Sequence, residues 1–145
     1  MPSEILVDHT GLIASASYDD RLYFSARKKW DSLLKDGSLL VIPKTVLVQA
    51  LSAVQKSAAS PSDGRALAVV IGDQLHYFDQ SGQAKLINIT EAQERDGWEI
   101  FRKREIEEMT LSDCLCVAIA LRRKIASVFS SKAFYRYFKI DPLLG

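Results

Sequence analysis

The chain has 145 residues, of which 48% are hydrophobic and 26% are charged, a composition typical of a globular domain with one core. No apolar run approaches the ~20 residues that span a bilayer, and no basic segment precedes an apolar stretch at the N-terminus, so we expect neither a membrane span nor a secretory signal. A formal net charge of +1 does not by itself indicate a nucleic-acid-binding protein. We therefore expect a single cytoplasmic domain over residues 1–145.

Short apolar runs alternate with amphipathic stretches along the chain. The apolar runs predict buried strands at residues 5–7, 39–42, 86–89 and 126–129. Apolar periodicity and helix-start signals predict helices at residues 11–17, 20–35, 47–54, 90–104, 111–123 and 132–138. Strands that alternate with helices favour a three-layer α/β/α fold with a central, mainly parallel sheet of about four to five strands.

Residues 66–80 fit two local structures. Apolar residues between positions 67 and 78 share one helical face, whereas Gly72-Asp73 between apolar runs is also typical of a hairpin turn. Ser60 followed by Pro61 is a typical helix start, with a capping hydroxyl and a first-turn proline. This start signal favours the helix.

Two aspartates mark one edge of the predicted sheet. Asp8 follows the first strand, and Asp113 lies near the start of the helix at residues 111–123. Ligands of parallel α/β sheets bind beyond the C-terminal ends of the strands, so we expect both carboxylates at that edge. Each aspartate also has a purely local interpretation, because Asp8 can cap the following helix and Asp113 can form a capping box with Thr110.

The order of elements, together with Val7-Asp8-x-Thr10 and Ser112-Asp113, resembles the PIN domain family. That family includes the VapC-type toxin ribonucleases of bacterial toxin–antitoxin pairs. The similarity runs over nearly the whole chain, and its strength lies in the order of several short motifs along the predicted elements.

Two further motifs of the family are present with neutral residues at their acidic positions. A leucine–valine–glutamate–alanine–leucine segment reads Leu-Val-Gln-Ala-Leu here, which puts Gln49 at the glutamate position. An Asp-x-x-Phe segment after the last strand reads Ser-Lys-Ala-Phe, which puts Ser131 at the aspartate position. Two of the four acidic positions, Asp8 and Asp113, therefore keep a carboxylate.

The resemblance implies an endoribonuclease that uses Mg²⁺ or Mn²⁺, with Asp8 and Asp113 as catalytic and metal-binding residues supported by Thr10 and Ser112. A hard divalent cation requires oxygen ligands, and it lowers the pKa of a bound water and neutralises phosphate charge. With Gln49 and Ser131 uncharged, we expect the metal to bind weakly or not at all and cleavage to be weak or lost.

Two other interpretations stay open at this point. The first is an active metal-dependent endoribonuclease that uses Asp8, Asp113 and a further acid. The acids that could fill this role by their predicted position are Asp19, Asp20, Glu107 and Glu108. The second is a protein-interaction module without nuclease activity.

The expected partners are RNA, a small antitoxin-like protein and a second copy of the chain. Basic clusters at residues 27–29, 102–104 and 122–124 either complement helix dipoles or contact RNA phosphates. At residues 134–139 aromatic and basic side chains alternate. We expect the phenylalanines of this segment to close the core and its tyrosines to lie exposed at a homodimer interface, with stacking on RNA bases as the alternative.

Overall fold

A computed structural model describes residues 3–145 of the chain. Its sheet has five strands, all parallel, in the order β3-β2-β1-β4-β5. The strands are β1 Glu4–Val7, β2 Leu39–Pro43, β3 Ala84–Ile87, β4 Ser127–Phe129 and β5 Asp141–Pro142. The helices are α1 His9–Ala16, α2 Tyr23–Lys35, α3 Lys44–Ser57, α4 Pro61–Ser81, α5 Glu91–Lys103 and α6 Leu111–Arg123, followed by a 3₁₀ helix at Ala133–Phe138. The predicted α/β/α class with a central parallel sheet is confirmed.

The core lies on both faces of the sheet. Neighbouring residues of a strand point to opposite faces, and in β1 both Leu6 and Val7 have no exposed surface. The same holds for Leu40 and Val41 in β2. Helices therefore have to cover both faces, which explains why the strands are continuous apolar runs in the sequence.

The strand order places a crevice beside β1. From β1 the chain proceeds outward to β2 and β3, and it then returns to add β4 and β5 on the other side of β1. Connections therefore leave the carboxyl ends of β1 and β4 in opposite directions. This is the topological switch point at which open α/β sheets bind ligands, and Asp8 directly follows β1 at that point.

The segment at residues 66–80 is helical, as the start signal predicted. It belongs to α4, whose first backbone amides are capped by the Ser60 hydroxyl, which accepts a hydrogen bond from the Asp63 amide at 3.1 Å. None of the helices in residues 3–145 is long and apolar enough to cross a membrane.

Some predicted boundaries are wrong. β3 begins and ends two residues before the predicted run at 86–89, because Ala84 pairs with Leu40 and is buried while Ile89 is only half-buried. α1 begins at His9 rather than at residue 11, because Asp8 caps it directly after the strand. α2 begins at Tyr23 rather than at residue 20.

Candidate functional site

Asp8 is fully buried and is surrounded by hydrogen-bond donors. Its Oδ1 atom accepts from the Thr10 hydroxyl at 2.8 Å and from the Gly11 amide at 3.0 Å. Its Oδ2 atom accepts from the Ser130 hydroxyl at 2.6 Å and from the Tyr135 hydroxyl at 3.1 Å. A carboxylate has about four acceptor positions, so all of them are used by the protein itself.

Hydroxyl and amide groups of the segment after β4 complete this network. The Thr10 hydroxyl lies 3.1 Å from that of Ser130 and accepts from the Ser131 amide at 3.3 Å. The Lys132 amide donates to the Ser130 hydroxyl at 3.0 Å. Ser131 thus contributes its backbone to the site, and it is the neighbouring Ser130 whose side chain contacts Asp8.

Asp113 caps α6, as its local interpretation predicted. Its Oδ2 atom accepts from the Thr110 amide at 2.9 Å, and its own amide donates to the Thr110 hydroxyl at 3.1 Å, which is a complete capping box. The Asp113 residue is 5% exposed. The helix cap therefore accounts for one of its two oxygens.

The Cys116 thiol and the Tyr135 phenol lie close to both Asp8 and Asp113. Burial raises the pKa of the Cys116 thiol above its ordinary range, and the charges of Asp8 and Asp113 raise it further, while a contact with the Tyr135 hydroxyl opposes them. Burial likewise raises the pKa of Tyr135, with Cys116 and the two carboxylates adding to the effect. Both groups are therefore protonated near neutral pH, and the Tyr135 hydroxyl can donate to Asp8.

Gln49 joins the site through α6. Its Oε1 atom accepts from the Ser112 hydroxyl at 2.9 Å, which holds the half-buried amide at the start of α6, beside Asp113. The structure thus brings together the residues singled out from the sequence, with Thr10 and Ser131 around Asp8 and with Ser112 and Gln49 around Asp113.

These residues fit a Mg²⁺ or Mn²⁺ centre poorly, because Asp113 Oδ1 is the one oxygen of the two carboxylates that accepts no hydrogen bond within residues 3–145. Across residues 3–145 there is no group of three or more acidic, histidine or cysteine side chains that could hold a metal ion. A hard cation requires oxygen atoms with free lone pairs, yet Asp8 has none free, and the Gln49 oxygen already accepts from Ser112. Asp20 lines a cleft of about 330 Å³ with Thr10 and Ser131, but its Oδ1 accepts from the Leu22 amide at 2.8 Å.

Ser130, Tyr135 and Cys116 are site residues that the sequence reasoning missed. The expectation that phenylalanines close the core at residues 134–139 and that tyrosines are exposed is wrong for Tyr135, which has no exposed surface, while Phe134 and Phe138 are half-buried. The sequence did contain one signal. Tyr135 directly follows Phe134, the phenylalanine of the motif, so moving the alignment of the motif by one residue puts the Tyr135 ring in its place.

Most of the arginines in the basic clusters have acidic partners. Arg122 contacts Asp96 at 2.6 Å, and Arg123 contacts Glu4 at 2.8 Å. These pairs favour the structural interpretation of the cluster at residues 122–124. By contrast, Arg21 takes part in no ion pair within residues 3–145 and lines the cleft beside Thr10.

No protein-family model matches the chain, and no curated protein sequence matches it either. A solved structure does match: the crystal structure of VapC20 from Mycobacterium tuberculosis, a toxin that cleaves the sarcin–ricin loop. The two chains superpose with a TM-score of 0.75 over 95% of this chain and 99% of that one, at 15% sequence identity. A likeness at this identity establishes the fold, and it confirms the PIN-like, VapC-like fold predicted from the sequence.

Proposed function

We propose that this chain is a cytoplasmic, PIN-like RNA-binding protein related to toxin ribonucleases, and that it cleaves RNA weakly or not at all. The observation that carries the proposal is the occupation of Asp8, whose two oxygens accept four hydrogen bonds from the protein. Asp8 and Asp113 are the positions where a relative with catalytic activity would bind Mg²⁺ or Mn²⁺. Here Gln49, beside Asp113, contributes a neutral amide at the position where the family has a third carboxylate.

The burial of Tyr135 supports a second alignment of the last motif. If the buried ring of Tyr135 takes the place of the motif's phenylalanine, the acidic position moves from Ser131 to Lys132. Neither residue is an acid, so the site lacks a fourth carboxylate in both alignments. A lysine there would repel a divalent cation instead of binding it.

The cleft beside Asp8 supports the RNA-binding part of the proposal. His9, Thr10 and Arg21 line it together with Ser131, and they offer hydroxyl, imidazole and guanidinium donors to a phosphate. One carboxylate, Asp20, faces the same cleft, so the attraction is modest. We expect weak RNA binding that falls as the salt concentration rises.

A labelled RNA hairpin with the sarcin–ricin loop sequence tests binding and cleavage separately. We expect its mobility to shift with the protein on a native gel at low salt. After incubation with the protein in about 10 mM Mn²⁺, enough to load weak sites, we expect it to remain intact on a denaturing gel. Arg21→Ala should weaken the shift, whereas Arg65→Ala, an exposed arginine on α4, should not.

The alternative is an active endoribonuclease that uses Asp8, Asp113 and a further acid. Cleavage that requires Mn²⁺ and is lost in Asp113→Asn would support this alternative and contradict the proposal.

Restoring the missing carboxylates offers a complementary test. Gln49→Glu combined with Lys132→Asp or Ser131→Asp should raise Mn²⁺ binding and cleavage together if only charge has been lost.

A groove lined partly by α4 supports a second candidate function, the binding of a small antitoxin-like protein. It lies between α1, α2 and α4 and has a volume of about 640 Å³. Its α4 wall presents Val70 and Tyr77, which are 53% and 64% exposed, and large exposed apolar side chains of this kind are typical of interaction sites. The apolar face of a partner helix fits this chemistry.

Co-expression with a small protein encoded next to this chain tests the partner. We expect the pair to co-purify and Val70→Glu to separate it. Co-purification that Val70→Glu leaves intact would mean that the groove is not the contact.

A homodimer is also proposed, with the exposed pair Trp98 and Phe101 on α5 as its contact, and sedimentation of a Trp98→Ala variant as a monomer would support it.

A further inference from the structure

Of the four groups that donate hydrogen bonds to Asp8, the Tyr135 hydroxyl is the one carried by an aromatic ring. It lies in the 3₁₀ helix after β4, has no exposed surface, and its hydroxyl lies 3.1 Å from Asp8 Oδ2. A phenylalanine would fill nearly the same volume and would leave this oxygen one donor short. The hydroxyl, rather than the ring, is therefore the feature that distinguishes this position.

The two oxygens of Asp8 have different surroundings. Oδ1 faces the start of α1, where Thr10 and Gly11 form the ordinary hydrogen bonds of a helix cap. Oδ2 faces the segment after β4 and accepts from Ser130 and Tyr135. Since the cap already occupies Oδ1, Oδ2 is the atom with which Asp8 could bind a cation.

We propose that the Tyr135 hydroxyl occupies the position at Asp8 Oδ2 that a divalent cation would take, so that Tyr135 satisfies the buried carboxylate without a metal and lowers the affinity of the site for divalent cations. The inference rests on the proposed impairment of the acidic site and assigns part of that impairment to one side chain. A buried carboxylate requires either a cation or several donors, and this chain supplies the donors.

The arrangement around Tyr135 keeps its hydroxyl in place. Ser130 donates to the same oxygen from β4's end, and Cys116 on α6 lies beside the phenol. A Mg²⁺ or Mn²⁺ ion held by two carboxylates retains several water ligands, and at Asp8 Oδ2 such an ion would have to displace the Ser130 and Tyr135 hydroxyls. Removing the Tyr135 hydroxyl opens a space of about one water molecule next to Asp8 Oδ2.

Tyr135→Phe tests the inference, with Tyr137→Phe as a matched control. Tyr137 lies two residues further along the same helix, is 60% exposed, and donates to the Glu105 carboxylate at 2.6 Å. Both variants thus remove a phenol hydroxyl that is bonded to a carboxylate. The readouts are the melting temperature and Mn²⁺ binding, measured from the electron paramagnetic resonance signal of free Mn²⁺.

We expect Tyr135→Phe to lower the melting temperature by roughly 4–8 °C, because a buried hydrogen bond to a charge is lost, and to bind Mn²⁺ at least about tenfold more tightly than the natural chain. Tyr137→Phe should change neither quantity. Ser130→Ala removes the other donor to Asp8 Oδ2, so it should also strengthen Mn²⁺ binding and gives a second test of that oxygen as the cation position.

The outcomes separate this inference from the proposed function. If Tyr135→Phe binds Mn²⁺ no more tightly than the natural chain, the role of Tyr135 is overturned and the proposed function stands. If the natural chain itself binds Mn²⁺ with a dissociation constant of about 0.1 mM or less, the impairment is overturned, and the role of Tyr135 falls with it.

Discussion

Asp8 carries a negative charge at a place that water does not reach, and the protein compensates it with four donors. Three of these are hydroxyls, of Thr10, Ser130 and Tyr135, and the fourth is the Gly11 amide. Because each donor is neutral, the network orients the Asp8 carboxylate without a positively charged partner. Asp8 thereby connects the end of β1, the start of α1 and the segment after β4.

The two interpretations of Asp8 predict opposite effects of Asp8→Asn on stability. In a metal-binding cluster of acids, removal of one charge relieves repulsion and stabilises the metal-free protein. In the hydrogen-bond network around Asp8, Asn offers one uncharged acceptor oxygen where Asp offers two charged ones. Two of the hydroxyls would then have to reorient, and we expect the free energy of unfolding to fall by about 2–4 kcal/mol.

Urea denaturation of Asp8→Asn beside Asp113→Asn measures the difference. Asp113→Asn should cost only about 0.5–1.5 kcal/mol, since the replacement weakens one capping contact. A variant Asp8→Asn that is as stable as the natural chain would show that the hydrogen bonds around Asp8 contribute little.

At the scale of elements, the close contact between α1 and β4 positions the site. Gly11 makes this contact possible, since a Cβ atom at its position would lie 2.0 Å from the Phe129 carbonyl oxygen. The backbone of β4 cannot move away without displacing Ser130, the next residue. The approach of the two elements thus sets the distance between the Asp8 and Ser130 side chains.

Gly11→Ala and Gly72→Ala form a matched pair of helix substitutions. Gly11→Ala should destabilise the protein by roughly 3 kcal/mol or more, because the clash is with backbone atoms. Gly72→Ala should stabilise it by up to about 1 kcal/mol, since a Cβ there lies 3.6 Å from a Leu51 methyl and alanine favours the helix. Thermal unfolding checks both, and equal effects would contradict the contact geometry.

The parts of the fold that local chemistry determines could be predicted from the sequence. The capping boxes of α5 and α6 and the apolar strands β1 and β2 depend on neighbouring residues, and they were predicted nearly at their observed bounds. The start of β3 depends on pairing with β2, and the two-residue strand β5 depends on pairing with β4, so local patterns did not reveal them.

The candidate site was predictable only in part for the same reason. Asp8 and Asp113 stand out because each follows a recognisable strand end or helix start. The contact of Tyr135 with Asp8 spans 127 positions and depends on which ring of a 3₁₀ helix faces inward. The alternation of aromatic and basic residues at 134–139 does not determine that choice.

At the scale of the whole molecule, the strand order puts the site where two halves of the sheet meet. Asp8 follows β1, Ser130 follows β4, and α6 brings Asp113 to the same edge. VapC20 has the same fold at 15% sequence identity, and a shared fold does not determine which groups bind at this edge. The decision lies with the side chains, and here hydroxyls and an amide stand among two carboxylates.

Calorimetric titration of the natural chain with Mn²⁺ tests this account most directly. We predict no binding heat up to about 1 mM Mn²⁺, because no oxygen of Asp8 is free and two carboxylates alone bind such ions weakly. A titration that saturates below that concentration with one ion per chain, and that Asp113→Asn abolishes, would contradict it.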